Sequence, residues 1–318
     1  EQVVPEIARA ISTFEDAGYH AGMAKAWRLA GLVHGTACRW AAAAEAARLA
    51  VEHARLAEDR RQEARNLPSY AICQLYGPTP VPEAIAGCED ILVQVAGDRR
   101  AEAIVRGHLA HLHAMEGRFD QARVLYAESR ATLEDLGGKV LAATTSLDSG
   151  PVELLAGDPI AAERELRHDY EILRQMGERY FLSTTAALLA QAVYAQGRYD
   201  EAFELSRESE DATAPDDIES QVIWRCARGK VLARRGNHAE AESMVRHAKD
   251  LIMQTEEPDV QGHVCMDLAQ VLHLRGSRSE ERTLLQEALG LYELKGNQVA
   301  AAIARSRLEE PVTQGATS

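Results

Sequence analysis

The sequence predicts an all-α protein, an α-solenoid of about seven helix–turn–helix repeats wound into a right-handed superhelix. Three observations predict it: a glycine that recurs about every 40 residues, apolar residues at helical spacing on both sides of each glycine, and an alanine-rich composition. Alanine supplies 54 of the 318 residues, whereas Phe, Trp and Tyr together supply 16. Alanine favours closely packed helices, and a β-sandwich would need more β-branched and aromatic residues.

The repeat is marked by its turns. The clearest glycines are separated by 40, 40, 39 and 40 residues; they are Gly117, Gly157, Gly197, Gly236 and Gly276. Gly77 and Gly35 extend the series towards the N-terminus. Glycine accepts the left-handed conformation in which many helices end, so each should turn one helix into its antiparallel partner. A small residue five positions later allows the two helices to approach closely; these residues are Ala122, Ala162, Ala202 and Ala241.

Counting the turns within and between repeats predicts about sixteen helices. The first, near Pro5 to Asp16, is expected to be the second helix of an incomplete unit, and the last, near residues 298–308, a capping helix. Pro68 and the pair Gly150-Pro151 fall inside first helices, which should kink or break there because proline lacks a backbone donor. We expect residues 1–309 to form one domain and residues 310–318 a flexible tail.

Composition excludes several classes of function. The chain has 35 basic and 49 acidic residues, a formal net charge of −14, which argues against binding a nucleic-acid backbone. Its five cysteines are scattered without a C-x-x-C pair, as expected of buried, reduced thiols in the cytoplasm. No run of 18 apolar residues indicates a membrane span. We therefore expect a cytoplasmic protein with neither nucleic-acid nor membrane partners.

The turns resemble those of the tetratricopeptide repeat, in which an aromatic residue and an alanine follow the glycine at fixed intervals. Gly117, Phe119 and Ala122 match this pattern, as do the equivalent residues of the segment 197–202. The standard unit has about 34 residues, so each helix here should be longer by roughly one turn.

A broader resemblance covers most of the chain. Four segments are similar to the C-terminal repeat arm of bacterial multidomain proteins that carry a class III adenylate/guanylate cyclase domain and a nucleotide-binding ATPase module; they are residues 75–85, 149–158, 187–198 and 291–297. The resemblance implies a regulatory or partner-binding arm of a larger signalling protein. It implies neither cyclase nor ATPase activity, because the residues of those modules are absent.

No catalytic motif stands out, and the sequence predicts a protein that is not an enzyme and binds no cofactor or metal. His108, His111 and His113 form the densest histidine cluster and are interpreted as surface or groove-lining residues. A group of carboxylates near Pro215 is interpreted as a solvated acidic loop; it comprises Glu208, Glu210, Asp211, Asp216, Asp217 and Glu219.

The best candidate for a binding site is a local reversal of charge, five basic residues between Arg225 and Arg235. Alignment on the turn glycines places Lys230 and Arg234 on the concave face. The same register brings in residues of the neighbouring units, so that the predicted set is Gln191, Tyr194, Arg225, Lys230, Arg234, Gln270 and His273. Such a set would hold an acidic peptide or a carboxylate. A charged, solvated helix face is the other interpretation.

Two functions remain open. The first is a non-catalytic interaction arm that binds a peptide, a protein or an attached ATPase or cyclase domain in its concave groove. The second is a solenoid that senses a small molecule and thereby regulates such an attached domain. An uncapped terminal repeat would also allow a homodimer.

Overall fold

A computed structural model describes residues 3–310, which form eighteen helical segments and no strand. The segments are α1 (Val3–Asp16), α2 (His20–Thr36), α3 (Trp40–Leu56), α4 (Arg60–Asn66), α5 (Pro68–Tyr76), α6 (Val81–Gln94), α7 (Arg99–Met115), α8 (Phe119–Asp135), α9 (Lys139–Ala142), α10 (Ser146–Leu155), α11 (Pro159–Met176), α12 (Tyr180–Ala195), α13 (Tyr199–Ala212), α14 (Ile218–Arg234), α15 (His238–Ile252), α16 (Pro258–Arg275), α17 (Arg278–Lys295) and α18 (Gln298–Glu309). Of the expected tail, only Glu310 lies within the described residues.

Two of the predicted helices are broken, so the described chain has sixteen helices when each broken pair is counted once. Pro68 separates α4 from α5 and occupies the first position of α5, as predicted. The break between α9 and α10 falls at residues 143–145, before the expected pair Gly150-Pro151. Pro151 itself lies inside α10. At the break the amides of Thr144 and Thr145 bond to carbonyls three residues back, at 3.2 Å each, which tightens the chain into turns.

The turn glycines predicted from the period adopt left-handed backbone conformations, with φ between 76° and 87° at the five clearest positions. The four following alanines are completely buried, which confirms the close approach of the paired helices. Gly77 and Gly35 are exceptions. Gly77 is extended, with φ −69°, and Gly35 lies in the last turn of α2, where Cys38 takes the left-handed conformation instead.

The first helices of successive units form a continuous inner layer. Helices α7, α10, α12, α14 and α16 each contact the next in this series, while α8, α11, α13, α15 and α17 cover them from outside. Side chains at the interface of the layers are small or branched, such as Ala227 and Val231 of α14, and neither is exposed. These features confirm the predicted α-solenoid of repeats.

The superhelix also closes on itself, which the sequence did not predict. The ammonium group of Lys295, at the end of α17, donates hydrogen bonds of 2.8, 2.7 and 2.8 Å to the carbonyl oxygens of Gln74, Gly77 and Thr79. A second junction joins the α2–α3 turn to the α15–α16 turn. There, Trp40 donates its indole N–H to the Glu257 carboxylate at 2.6 Å. We call these two junctions the closing contacts. They bring the early units against the late ones, so the inner layer surrounds a central space.

Among the described helices, none combines the length and apolar character that a membrane crossing requires.

Candidate functional site

A cavity of about 520 Å³ occupies the centre of the superhelix. We call it the central cavity. Its middle is apolar and is lined mainly by aliphatic side chains of the inner layer; these include Leu154, Leu188, Val222, Ile223, Val264 and Met266. Residues of α5 and α18 complete the wall from the two ends of the described chain. Charged and hydroxyl groups cluster at its two ends.

One end of the central cavity carries a neutralised ion pair. The ammonium group of Lys230 lies 2.6 Å from a carboxylate oxygen of Asp267 and also bonds to the amide oxygen of Gln191. The amide nitrogen of Gln191 lies 3.3 Å from the other oxygen of Asp267. Three successive inner helices thus contribute one residue each. Because Lys230 is 7% exposed and already paired, it helps to build the wall and adds no net positive charge.

Beside this ion pair lies a group with unused hydrogen-bonding capacity. The hydroxyl oxygen of Tyr194 accepts hydrogen bonds from Arg234 at 3.3 Å and from Gln270 at 3.2 Å. Its own hydrogen has no acceptor among residues 3–310. Arg234 is exposed at the edge of the cavity and likewise contacts no carboxylate in the described part of the chain. The pair therefore presents an O–H and a guanidinium group to an anionic ligand.

The opposite end of the central cavity is acidic. Glu219, near the start of α14, is half-buried and has neither a hydrogen-bond nor an ion-pair partner within the described residues. Burial raises its pKa well above the usual value, and the charges of Glu257, Asp217 and Asp148 add to the effect. The neighbouring Asp259, by contrast, accepts a hydrogen bond of 2.8 Å from Asn297. Glu219 is thus a lone carboxyl group whose ionisation a bound cation would favour.

The histidine cluster borders the same end. His108 and His111 face Asp148 of the next unit, with Nδ1 to carboxylate distances of 3.3 and 3.8 Å. Burial tends to raise the pKa of Asp148, but these two histidines outweigh it and hold the pKa below its ordinary value. His111 lines the cavity, whereas His113 lies 3.0 Å from Gln121. Among the described residues there is no group of side chains arranged to hold a metal ion.

Five of the seven predicted binding residues line the central cavity, namely Gln191, Tyr194, Lys230, Arg234 and Gln270. Arg225 and His273 do not. The Arg225 guanidinium lies over the Trp224 ring, 4.1 Å from its centroid, and donates to the Gln221 carbonyl. His273 lies 2.8 Å from the Glu281 carboxylate at the α16–α17 junction. These contacts hold the Arg225 and His273 side chains away from the residues that line the cavity.

The expected basic patch is largely neutralised. Arg228 pairs with Glu210 and Arg235 with Asp200, each at 2.6 Å, so Arg234 is the cation of the cavity wall that keeps no carboxylate partner within residues 3–310. The prediction of a solvated acidic loop is wrong for two of its six carboxylates. Asp217 is 5% exposed and caps α14, since it accepts the Ser220 amide at 3.2 Å, and Glu219 enters the cavity.

A periodic signal for the missed residues was present. Positions 219, 223, 226 and 230 follow the three-to-four-residue spacing of one helix face, and all four line the cavity. Asp267 likewise lies one turn before Gln270 on α16. Extending the inner face of α14 and α16 towards their N-termini would have found both carboxylates.

The cysteines are not suited to nucleophilic chemistry. All five are buried and unbonded. Burial raises the pKa of Cys73, Cys88 and Cys265 to about 12, and it also raises the pKa of Cys226, which lines the cavity, well above the usual value. A thiol that stays protonated is a weak nucleophile.

Comparisons with known proteins agree at the level of the fold. No protein-family model matches the chain, and no curated protein matches it. The apo form of RapI is similar, with a TM-score of 0.61 and 13% identity over 85% of this chain and 98% of RapI. A Rap protein in complex with competence and sporulation factor matches with a TM-score of 0.55 and 13% identity, over 96% of this chain and 95% of that one.

A third structure is the apo form of the quorum sensor NprR from B. thuringiensis, with a TM-score of 0.53 and 13% identity, over 94% of this chain and 84% of its own. At 13% identity, this similarity shows a shared fold and nothing more. The chain is an all-α solenoid of tetratricopeptide-like repeats.

Proposed function

We propose that this chain is a non-catalytic regulatory module that binds a short peptide, with both termini free, in the central cavity. The observation that carries the proposal is the distribution of unsatisfied groups: Glu219 at one end, Arg234 with Tyr194 at the other, and an apolar wall between them. A peptide amine would pair with Glu219 and a peptide carboxylate with Arg234. A net acidic ligand, expected from the sequence, is not favoured, because Lys230 is neutralised by Asp267.

The spacing of these groups sets the length of the ligand. Glu219 and Arg234 are fifteen residues apart on α14, roughly 22 Å along the helix axis. An extended chain advances about 3.5 Å per residue, so roughly six residues span the two ends. A cavity of about 520 Å³ excludes a folded domain. The peptide would run parallel to α14, with its apolar side chains against the middle of the wall.

Two likenesses support a role in signalling. One similar structure is a Rap protein in complex with competence and sporulation factor, and another is a quorum sensor. The resemblance to the repeat arm of cyclase–ATPase proteins supports a place in a larger bacterial, cytoplasmic signalling protein. In that setting, ligand binding in the cavity would alter the closing contacts and so the pitch of the superhelix.

A second candidate is the sensing of a small molecule. The cavity volume lies within the range of about 300–1,000 Å³ typical of small-ligand sites, and its apolar wall with a few converging polar groups has the usual character of such sites. A compact ligand would use the Tyr194–Arg234 end alone and leave Glu219 without a partner.

The test uses the immobilised full chain and a pool of random hexapeptides in three forms: with free termini, N-acetylated and C-amidated. Retained peptides are identified by mass spectrometry and their affinities are measured by calorimetry. The parent should prefer the form with both termini free. Arg234→Gln should abolish the preference over the amidated form, and Glu219→Gln the preference over the acetylated form, each by about tenfold in affinity.

Arg235→Gln is the matched control, since Arg235 is adjacent and exposed but pairs with Asp200 outside the cavity. It should behave as the parent. If all three peptide forms bind equally to the parent, the proposed orientation is wrong. If no hexapeptide is retained while a metabolite raises the melting temperature of the parent and not of Arg234→Gln, the small-molecule function replaces the peptide function.

A further inference from the structure

A second concave site lies on α4 and at the start of α7 and shares no lining residue with the central cavity. It is a depression of about 300 Å³, lined by Arg61, Ala64, Arg65, Asp98 and Arg100. Three of the five lining residues are therefore arginines, in a protein whose net charge is −14. A local excess of positive charge on an acidic protein indicates a specific electrostatic role.

The three arginines lack acidic partners. Within residues 3–310, none of Arg61, Arg65 and Arg100 takes part in an ion pair. The one lining carboxylate, Asp98, is already engaged, because it accepts the Ala101 amide at 2.9 Å and caps α7. Many other arginines of the chain are paired, as with Arg130, which contacts Glu165 and Asp169 at 3.1 and 2.7 Å. The guanidinium groups of the depression are thus left with unused donors.

A fourth arginine, Arg28 on α2, adds to this positive charge. The Nε atom of Arg28 is buried and has no hydrogen-bond partner in the described part of the chain. Burial lowers the pKa of Arg28, and repulsion from Arg65 and Arg100 lowers it further. Burial and the charge of Arg65 lower the pKa of Arg100, while the charge of Asp98 acts in the opposite direction. We call Arg28, Arg61, Arg65 and Arg100 the arginine cluster. Repulsion among Arg28, Arg65 and Arg100 costs stability unless an anion is bound.

We propose that the arginine cluster binds a phosphate group, as inorganic phosphate or as a phosphate monoester. Three lining guanidinium groups against one carboxylate, with the charge of Arg28 acting on two of them, leave an excess of positive charge that suits a dianion better than a single carboxylate. A phosphate also offers several acceptor oxygens to the planar, two-pronged donors of arginine. The depression is open to solvent at the exposed Arg61 and Arg65, which allows a phosphate on a larger molecule to enter.

The test measures binding of three probes to the full chain by calorimetry at fixed ionic strength: inorganic phosphate, a phosphoserine-containing peptide and the same peptide without phosphate. Saturable binding of either phosphorylated probe, with none of the unphosphorylated peptide, is expected. The tighter of the two phosphate probes identifies the source of the group. The double variant Arg65→Gln/Arg100→Gln should bind at least about tenfold more weakly, since it loses two charged donors.

The control is Arg60→Gln/Arg207→Gln, which changes the net charge equally; Arg60 lies on the same helix outside the depression, and Arg207 pairs with Glu204 far along the chain. Without phosphate, the Arg65→Gln/Arg100→Gln variant should melt at the same or a higher temperature than the parent, because repulsion is relieved. Equal weakening in both double variants, or no saturable binding by the parent, would overturn the proposal.

Discussion

The buried ammonium group of Lys295 lies 2.7 Å from the carbonyl oxygen of Gly77, although 218 residues separate them in sequence. Gly77 is extended and its carbonyl points away from its own helix, so this turn presents an acceptor to a distant unit. Burial lowers the pKa of Lys295 to about 8, while the nearby carboxylates of Asp259 and Glu257 act in the opposite direction. One side chain thereby joins the α5–α6 turn to the end of α17.

Replacing Lys295 by Met should therefore destabilise the whole superhelix. The variant leaves one buried and two partly buried carbonyl oxygens without their donor, and we expect a loss of roughly 3 kcal/mol in the free energy of unfolding. Urea titration followed by circular dichroism measures it. Lys249→Met serves as the comparison, since Lys249 is partly exposed and pairs with Glu287; its loss should be about 1 kcal/mol or less. Equal losses would show that the closing contacts carry no special weight.

The other closing contact should make stability depend on pH. Burial raises the pKa of Glu257 to about 7, whereas the unfolded value is 4.5. Between these values the folded chain binds more protons than the unfolded chain, so stability falls as pH rises from about 4.5 to 7. Glu257→Gln keeps an acceptor for Trp40 without the titration. The parent minus variant difference in melting temperature should shrink with rising pH by a few degrees; a constant difference would contradict this assignment.

Lys230 and Asp267 should be coupled in stability, whereas Arg234 should not be. A double-mutant cycle with Lys230→Met and Asp267→Asn should give a coupling energy of about 1–3 kcal/mol, because each single change strands a half-buried partner. Arg234→Gln should change the free energy of unfolding by less than about 0.5 kcal/mol, as expected of an exposed residue. A stability loss in Arg234→Gln comparable to that of Lys230→Met would assign Arg234 a structural role instead.

Two glycines inside helices should respond to alanine in opposite directions. A Cβ atom at Gly229 would lie 2.3 Å from Val245 Cγ2 and 3.2 Å from the Ala241 carbonyl, so Gly229→Ala should cost about 1–3 kcal/mol. At Gly290 an added Cβ meets nothing within 4 Å, and Gly290→Ala should stabilise the chain by up to about 1 kcal/mol. Thermal and urea unfolding of the two variants measure the effects. Destabilisation by both would mean that helix propensity does not govern the exposed position.

The repeat architecture could be predicted because its signals are local. The glycine period, the helical spacing and the buried alanines such as Ala202 each depend on residues within one unit, and most units repeat them. The placement of Gln191, Lys230 and Gln270 on the inner face follows from the same register. Arg225 does not follow this register, because its guanidinium group stacks on the neighbouring Trp224 ring.

The contacts that could not be predicted join residues that lie far apart in the sequence. The contact of Trp40 with Glu257 spans 217 residues, and it forms only because small rotations between successive units add up to a closed turn. No sequence pattern within one unit predicts this total rotation. The charge at Lys230 was likewise misjudged because its partner Asp267 lies in the next unit, where the two charges meet only after the helices have stacked.

Closure has a consequence for biosynthesis. The N-terminus of the chain emerges from the ribosome first. The early units can stack as they emerge, since each unit packs only against its neighbours. Tyr292, Asn297 and Ile303 of the cavity wall, however, are translated last among the described units. Until these residues emerge from the ribosome, the nascent chain holds an open, half-built groove. Occupancy by a ligand would then distinguish chains whose cavity wall is complete from chains whose wall is still being made.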